Sequence, residues 1–262
     1  MPVAGTDHNL NSEHTTHRRN SLAALYEKYF AVVPADSSEL LEEVHRLRYQ
    51  VYCLENQFES PEQNPHGLEI DEFDGRSAHS LLFHRPSQRF IGTVRLILPK
   101  EANPDRSFPF QRISDYPLFS ARSSAEVSRF CISKALRQLP TAGEDAAKQQ
   151  RRLIPYVTLG LIKSLVQMSV EHRITHWCIV VEPPLLRLLA GLGLVFQPVG
   201  PMVDYHGRRQ PCYSNLHLLL KGVRQRRPDV WEVITNKGKL WPAEHMVAHH
   251  SGFRPEFGWT TA

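Results

Sequence analysis

Apolar positions along this chain switch between two spacings from residue 21 onward. Leu40, Leu41, Val44, Leu47 and Val51 recur at helical intervals behind Asp36 and Glu39, which read as a capping pair, so an amphipathic helix is predicted over about 37–54. A short helix is expected over 21–30, running into a first strand at Phe30–Val33. Residues 77–83 and 89–98 are apolar runs joined by His84-Arg85-Pro86-Ser87-Gln88, the pattern of a hairpin. Ala125–Ile132 alternates apolar and polar residues with the period of a half-buried strand. Residues 153–170 form an apolar helical stretch, 176–181 a buried strand, and Pro183-Pro184 opens a helix that stops near Gly191 or Gly193. Strands over 195–199 and 212–219 are expected to flank a turn at 205–209. Residues 55–76, 99–122 and 134–152 lack either period and read as loops. This order predicts one α+β domain over 20–262, a mixed twisted sheet with helices on both faces. It is preceded by a disordered tail, 1–19, and ends in an extension from about 221.

Composition narrows the function classes. At 262 residues and 41% hydrophobic the chain can bury a sizeable core, and its formal charge of +4 is a mild basic excess suited to an acidic partner. Its four cysteines, Cys53, Cys131, Cys178 and Cys212, form no CxxC pair and read as packed thiols. No apolar run approaches the ~20 residues that span a bilayer, so a cytoplasmic protein without an integral membrane segment is expected. There is no Walker loop, no GxGxxG after a strand, no HExxH and no GxSxG. In the tail of His245, His249 and His250, the i, i+4 pair sits near the terminus with no clear third ligand, and no metal site is expected. The basic cluster Arg224–Arg227 has no interleaved aromatics, which argues against nucleic acid.

The chemistry concentrates in charged residues inside apolar elements. Arg48 lies on the amphipathic helix one turn from Tyr52, Asp71 and Asp74 in the long loop, and Arg95 inside a strand. Strict alternation of Glu126-Val127-Ser128-Arg129 puts Glu126 and Ser128 on one face and Val127 and Arg129 on the other. Charges within strands need partners or a ligand. Converged, these groups build a polar pocket for a small amine or zwitterion; dispersed, they are surface ion pairs. The pattern alone leaves both open. Cys131, between apolar neighbours, reads as a packed thiol rather than a nucleophile.

Arg48-x-x-Val51-Tyr52, Phe58, Asp71-x-x-Asp74, Arg95 and Glu126-x-Ser128-Arg129-Phe130, in this order, resemble the signature of acyl-homoserine-lactone autoinducer synthases. They resemble still more their relatives, the long-chain N-acyl amino acid synthases of PEP-CTERM/exosortase systems. Tyr52 replaces the Phe usual in autoinducer synthases and Phe58 replaces their Trp, which favours the N-acyl amino acid branch. The resemblance implies a GNAT-like acyl-CoA N-acyltransferase fold in which two parallel strands splay to admit the donor's pantetheine arm. The Glu126 strand and His176–Val181 would be that pair. It implies Glu126 and Ser128 as catalytic, and Arg48, Asp71, Asp74, Arg95, Arg129 and Phe130 as substrate-binding. Leu161, Leu165 and Val180 would line an acyl tunnel, and Lys148, Arg151 and Arg152 would dock an acidic acyl carrier protein. An amino acid and a long-chain acyl thioester, on carrier protein or CoA, are the implied substrates, with no metal or redox cofactor. Two other readings remain: an autoinducer synthase taking S-adenosylmethionine, and a module that binds acyl carrier or lipid without catalysis.

Overall fold

The computed structural model describes residues 21–100, 108–114, 121–138, 143–144, 148, 156–205 and 207–241. The chain enters through α1 (Leu22–Tyr29) and β1 (Phe30–Pro34), then α2 (Ser38–Arg48). A π-helical turn (Tyr49–Glu55) follows, and the long loop leads to the hairpin β2 (Ser77–His84) and β3 (Arg89–Ile97). A short α3 (Phe110–Ile113) precedes β4 (Ser124–Ile132). The second half runs α4 (Thr158–Glu171), β5 (His176–Val181), α5 (Pro183–Gly191), β6 (Gln197–Pro198), β7 (Val203–Asp204), β8 (Arg208–Asn215), α6 (Leu216–Arg226) and α7 (Pro228–Ile234). The strands form one sheet in the order β1-β2-β3-β4-β5-β8-β6, with β7 added to β8. Every pairing is antiparallel except β4–β5, where α4 crosses over the sheet to make two parallel neighbours.

Helices cover both faces, as the pattern predicts. One face packs α1, α4, α5, α6 and α7 over Leu82, Val94, Leu96, Ala125, Trp177 and Ile179 to make the main core. The other face carries α2, which packs Val44 and Leu47 over Leu81 and Cys131, and α3 beside Ile97, Cys178 and Tyr213. Close approach on the main face depends on Gly160 of α4. A Cβ there would run into the Tyr26 hydroxyl and the Leu82 side chain. No described helix is long and apolar enough to cross a membrane.

Several boundaries differ from the sequence reading, each for a local reason. Ser37, not Asp36, caps α2: its Oγ accepts the Leu40 N–H at 3.4 Å. The predicted helix over 37–54 is α-helical only to Arg48, beyond which it widens into the π turn. The strand expected over 212–219 ends at Asn215, whose Oδ1 accepts the Leu218 N–H at 3.0 Å and starts α6. Only Gln197–Pro198 of the 195–199 run pairs as a strand. The stretch after 221 is no appendage: Val223, Val230 and Ile234 are fully buried in the main core. Its basic residues have local work, since Arg226 and Arg227 donate to the Gly193 and Gly191 carbonyls at the end of α5. Residues 1–19 and the histidines at 245, 249 and 250 lie outside the described residues.

Alanine at position 160 should cost stability through overpacking, about 1–3 kcal/mol, against the ~1 kcal/mol that alanine gains in a helix. The denaturation midpoint of Gly160→Ala, lower than wild type at unchanged slope, is the expected result.

Candidate active site

β4 and β5 pair in register only from Ser124↔His176 to Val127↔Ile179. Beyond that point the two parallel strands separate, and a cavity of about 420 Å³ occupies the gap. Two features pry them apart. The β3–β4 register slips between Thr93 and Arg95, and opposite the slip Arg129 adopts φ 46°, left-handed backbone that a non-glycine residue rarely takes. The bulge also overturns strict alternation. Ser128 and Arg129 both reach the α2 side of the sheet, where Ser128 accepts the Arg95 Nε–H at 2.9 Å and Arg129 meets the loop carboxylates.

The charged residues singled out from sequence converge there. Arg48 donates from Nε to Glu69 at 2.5 Å and from Nη1 to Asp74 at 2.6 Å. Arg95 Nη1 bridges Asp71 at 2.6 Å and Asp74 at 2.7 Å. Arg129 Nη2 reaches Glu69 at 2.7 Å, Asp71 at 3.1 Å and Glu59 at 3.4 Å. Arg48 and Arg95 are buried to 0% and 2% exposure, so these are interior ion pairs, not a solvated face. Three guanidinium groups against Glu69, Asp71 and Asp74 leave the interior of the network neutral. Burial alone would raise the Asp74 carboxyl; the Arg48 hydrogen bond and the charges of Arg48 and Arg95 outweigh it and hold it well below the usual range. Asp71 and Glu69 are lowered by the same contest, through Arg95 and Arg48 respectively. His79, beneath Asp74, is pushed down to about 4, chiefly by burial, and stays neutral.

Glu69 is absent from the set expected from sequence, yet it joins Arg48 to Arg129. It is 3% exposed, and its spacing from Asp71 is the only hint in the chain, two carboxylates at strand period. Tyr52, carried into the cavity wall by the π turn, supports the site differently. The Arg129 guanidinium lies 5.1 Å over its ring, Phe58 packs on it at 6.2 Å, and Arg209 lies 5.8 Å over Phe58. This ladder crosses the gap from β4 to β8.

Among the described residues, Glu126 is the one buried carboxylate without an ion-pair partner. Its side chain is 6% exposed, lines the cavity and accepts the Phe110 backbone N–H at 2.9 Å. Burial raises its carboxyl to about 7, against the lowering pull of that N–H and of the Arg95, Arg76 and Arg129 charges. It is therefore poised to exchange a proton near neutrality. Cys131 is buried and pushed up to about 12, a packed thiol. Away from the polar end the cavity becomes apolar, lined by Phe130, Ile162, Leu165, Ile179, Leu189 and Phe196. Of the tunnel residues expected, Leu165 and Val180 line it and Leu161 does not; Leu161 turns toward β3, near Gly92, and Ile162 takes the cavity side. Lys148 is exposed, while Arg151 and Arg152 lie outside the described residues.

A family model for the acetyltransferase (GNAT) domain matches residues 47–143. No curated protein matches the chain in sequence. Among solved structures it resembles TofI in a ternary complex with an inhibitor and MTA, at TM-score 0.55 and 15% identity over 74% of this chain and 96% of that one. It resembles BjaI, a CoA-dependent acyl-homoserine lactone synthase solved with SAM and isopentyl-CoA, at TM-score 0.52 and 18% identity over 79% and 88%. FeeM, an N-acyl amino acid synthase from uncultured soil microbes, aligns at TM-score 0.48 and 16% identity over 74% and 95%. The fold is the GNAT fold, with its mixed sheet and splayed parallel pair.

Asp74→Asn should destabilise the protein by about 3–5 kcal/mol, because two buried guanidinium groups lose a partner. The cluster carboxylates have folded values below their unfolded ones, near 4. Their contribution is therefore complete above that value and lost as pH falls through the folded values. Melting curves from pH 7 to 2 should show a steep acid limb in wild type and a flatter one in Asp74→Asn.

Proposed function

We propose that this protein is an N-acyltransferase that moves a long-chain fatty acyl group from an acyl carrier protein or CoA thioester to the amine of an amino acid. The observation that carries the reading is Glu126. It is a buried carboxyl raised to about 7, placed where β4 and β5 part, with a polar ion-pair wall on one side and an apolar cavity on the other. The apolar end suits an acyl chain, and the gap between strands suits the narrow pantetheine arm. The sequence resemblance adds the amino acid acceptor and the tie to PEP-CTERM/exosortase systems. Tyr52 and Phe58, in place of the residues usual in autoinducer synthases, favour that acceptor over S-adenosylmethionine.

The reaction is direct transfer. The neutral amine attacks the thioester carbonyl, the C–N bond forms, and the carbonyl oxygen takes the charge of a tetrahedral intermediate. Glu126 accepts the ammonium proton, directly or through a water. Backbone N–H groups of β4 beyond Val127 have lost their β5 partners and stabilise the oxyanion, a term worth up to ~4 kcal/mol in other enzymes. Collapse breaks the C–S bond, and the proton from the amine leaves with the pantetheine thiol. Arg95 holds Ser128 at the lip of the gap, while Arg48, Arg129 and their carboxylates keep the wall rigid. Arg48, Arg95 and Arg129 are engaged by resident carboxylates, so they position the acceptor by shaping the pocket. A carrier protein, as donor, would dock on basic surface such as Lys148, Arg151 and Arg152.

Glu126→Gln keeps an acceptor for the Phe110 N–H and removes the base. Turnover should fall by about 10²–10⁴-fold while the melting temperature holds. In wild type, kcat should rise with pH to a plateau with an apparent midpoint near the Glu126 value of about 7. Mass spectrometry of extracts from expressing cells identifies the product. Long-chain N-acyl amino acids that vanish with Glu126→Gln establish the reaction, whereas acyl-homoserine lactones establish the autoinducer reading. Tight binding of acyl carrier protein with no thioester consumed establishes a binding module.

A further inference from the structure

An amino acid brings a carboxylate as well as an amine, and the three arginines of the ion-pair wall already face resident carboxylates. Arg95 bonds through Nε and Nη1 to Ser128, Asp71 and Asp74, and Arg129 through Nε and Nη2 to Glu69, Asp71 and Glu59. Arg48 keeps one unpartnered nitrogen, but it is fully buried and does not line the cavity. Arg209 differs. It lines the cavity, its Nε–H is buried with no acceptor among the described residues, and its Nη2 bonds to a single carboxylate oxygen of half-exposed Glu182 at 3.2 Å.

From this imbalance we infer that Arg209 anchors the carboxylate of the acceptor and so selects α-amino acids over simple amines. The inference rests on the acyl-transfer reading and names the group that fixes its acceptor. The strand register places the residue correctly. Glu126 pairs with Cys178 and Cys178 with Tyr213, so Glu126 and Tyr213 stand level across the sheet on one face. Arg209 precedes Tyr213 by four positions on β8 and shares that face. The offset along the strand is ~13 Å at the usual rise, a gap that the arginine and glutamate side chains narrow from both ends.

Charge gives the pocket a direction. Glu126 offers an acceptor for an ammonium at one end, and Arg209 offers a two-pronged donor for a carboxylate at the other. The Phe58 ring lies beside the guanidinium, its centroid 5.8 Å from Cζ, and covers part of it. Glu182 acts as a stand-in carboxylate that the ligand displaces toward solvent. The product, an N-acyl amino acid, keeps the same carboxylate, so binding can be read without turnover.

The test is calorimetric binding of N-lauroyl glycine, N-lauroyl leucine and N-lauroyl tyrosine, each beside its uncharged amide, to wild type, Arg209→Gln, Arg209→Lys and Glu182→Gln. Wild type should prefer at least one acid over its amide by tenfold or more. Arg209→Gln should bring the ratio close to one, Arg209→Lys should restore part of it, and Glu182→Gln should raise it. Matching melting curves establish that each variant folds. Acids bound no better than amides by wild type, or a preference retained in Arg209→Gln, overturns the inference. Failure of the acyl-transfer reading shows elsewhere, as no thiol released from an acyl thioester in the presence of amino acids. A carboxylate preference observed with no transfer leaves the anchor standing and removes the reaction.

Discussion

A guanidinium group cannot be taken out of water alone, and this molecule buries two of them almost completely beside a third at the cavity wall. The cost of desolvating one such ion is several kcal/mol even after relaxation. It is met only because Glu69, Asp71 and Asp74 arrive on one loop segment at the spacing of the three arginines. The network therefore joins elements remote in sequence: α2 through Arg48, β3 through Arg95 and β4 through Arg129. It fixes the height of the loop above the sheet, and with it the roof of the cavity. Removing any one charge leaves its partners stranded, so the site and the fold are not separable on this side of the sheet.

The gap between β4 and β5 follows from the same contacts. Arg129 meets both Glu69 and Asp71 while Ser128 faces Arg95, an arrangement that needs two consecutive side chains on one face. A regular strand cannot supply it, and the bulge at φ 46° does. A strand so twisted cannot continue a straight parallel ladder, and pairing with β5 ends just before it. Glu126, three residues before Arg129, stays in the paired region, held under α3 by the Phe110 N–H. Its freedom from an ion-pair partner, among so many charged neighbours, is what leaves its proton available.

Much of this was legible in the amino-acid sequence because charged residues inside apolar elements are expensive and so conspicuous. Arg48, Arg95, Glu126 and Arg129 stand out on that ground and Asp71-x-x-Asp74 by its spacing in a long loop, and the six surround one site. Glu69 escaped because a glutamate in a loop costs nothing by itself; its burial is created by the two arginines that reach it. The side taken by Arg129 was misread because alternation assumes a regular strand, and nothing local in Val127-Ser128-Arg129-Phe130 announces a bulge. The π turn after Arg48 is invisible for the same reason, since the apolar spacing through Val51 suits an ordinary helix. By contrast, the start of α6 was open to reading: Asn215 is a good cap, and Leu216, Leu219, Leu220 and Val223 follow at helical intervals.

The last helix of the core has a consequence for how the protein comes into being. α7 packs against α1 as well as α4 and α6, and Lys237 reaches Glu27 at 3.3 Å, so the two ends of the folded chain are neighbours. A ribosome releases α1 more than 200 residues before α7. Until that point the main core lacks the side formed by Val230, Val233 and Ile234, and apolar surface on α1 and α4 waits uncovered. Such late closure keeps apolar surface exposed on the growing chain, and long-range contacts of this kind slow folding. A circular permutant that joins the two ends and opens the chain in the β2–β3 turn would make α7 and α1 in succession, and would bring that surface together early in synthesis.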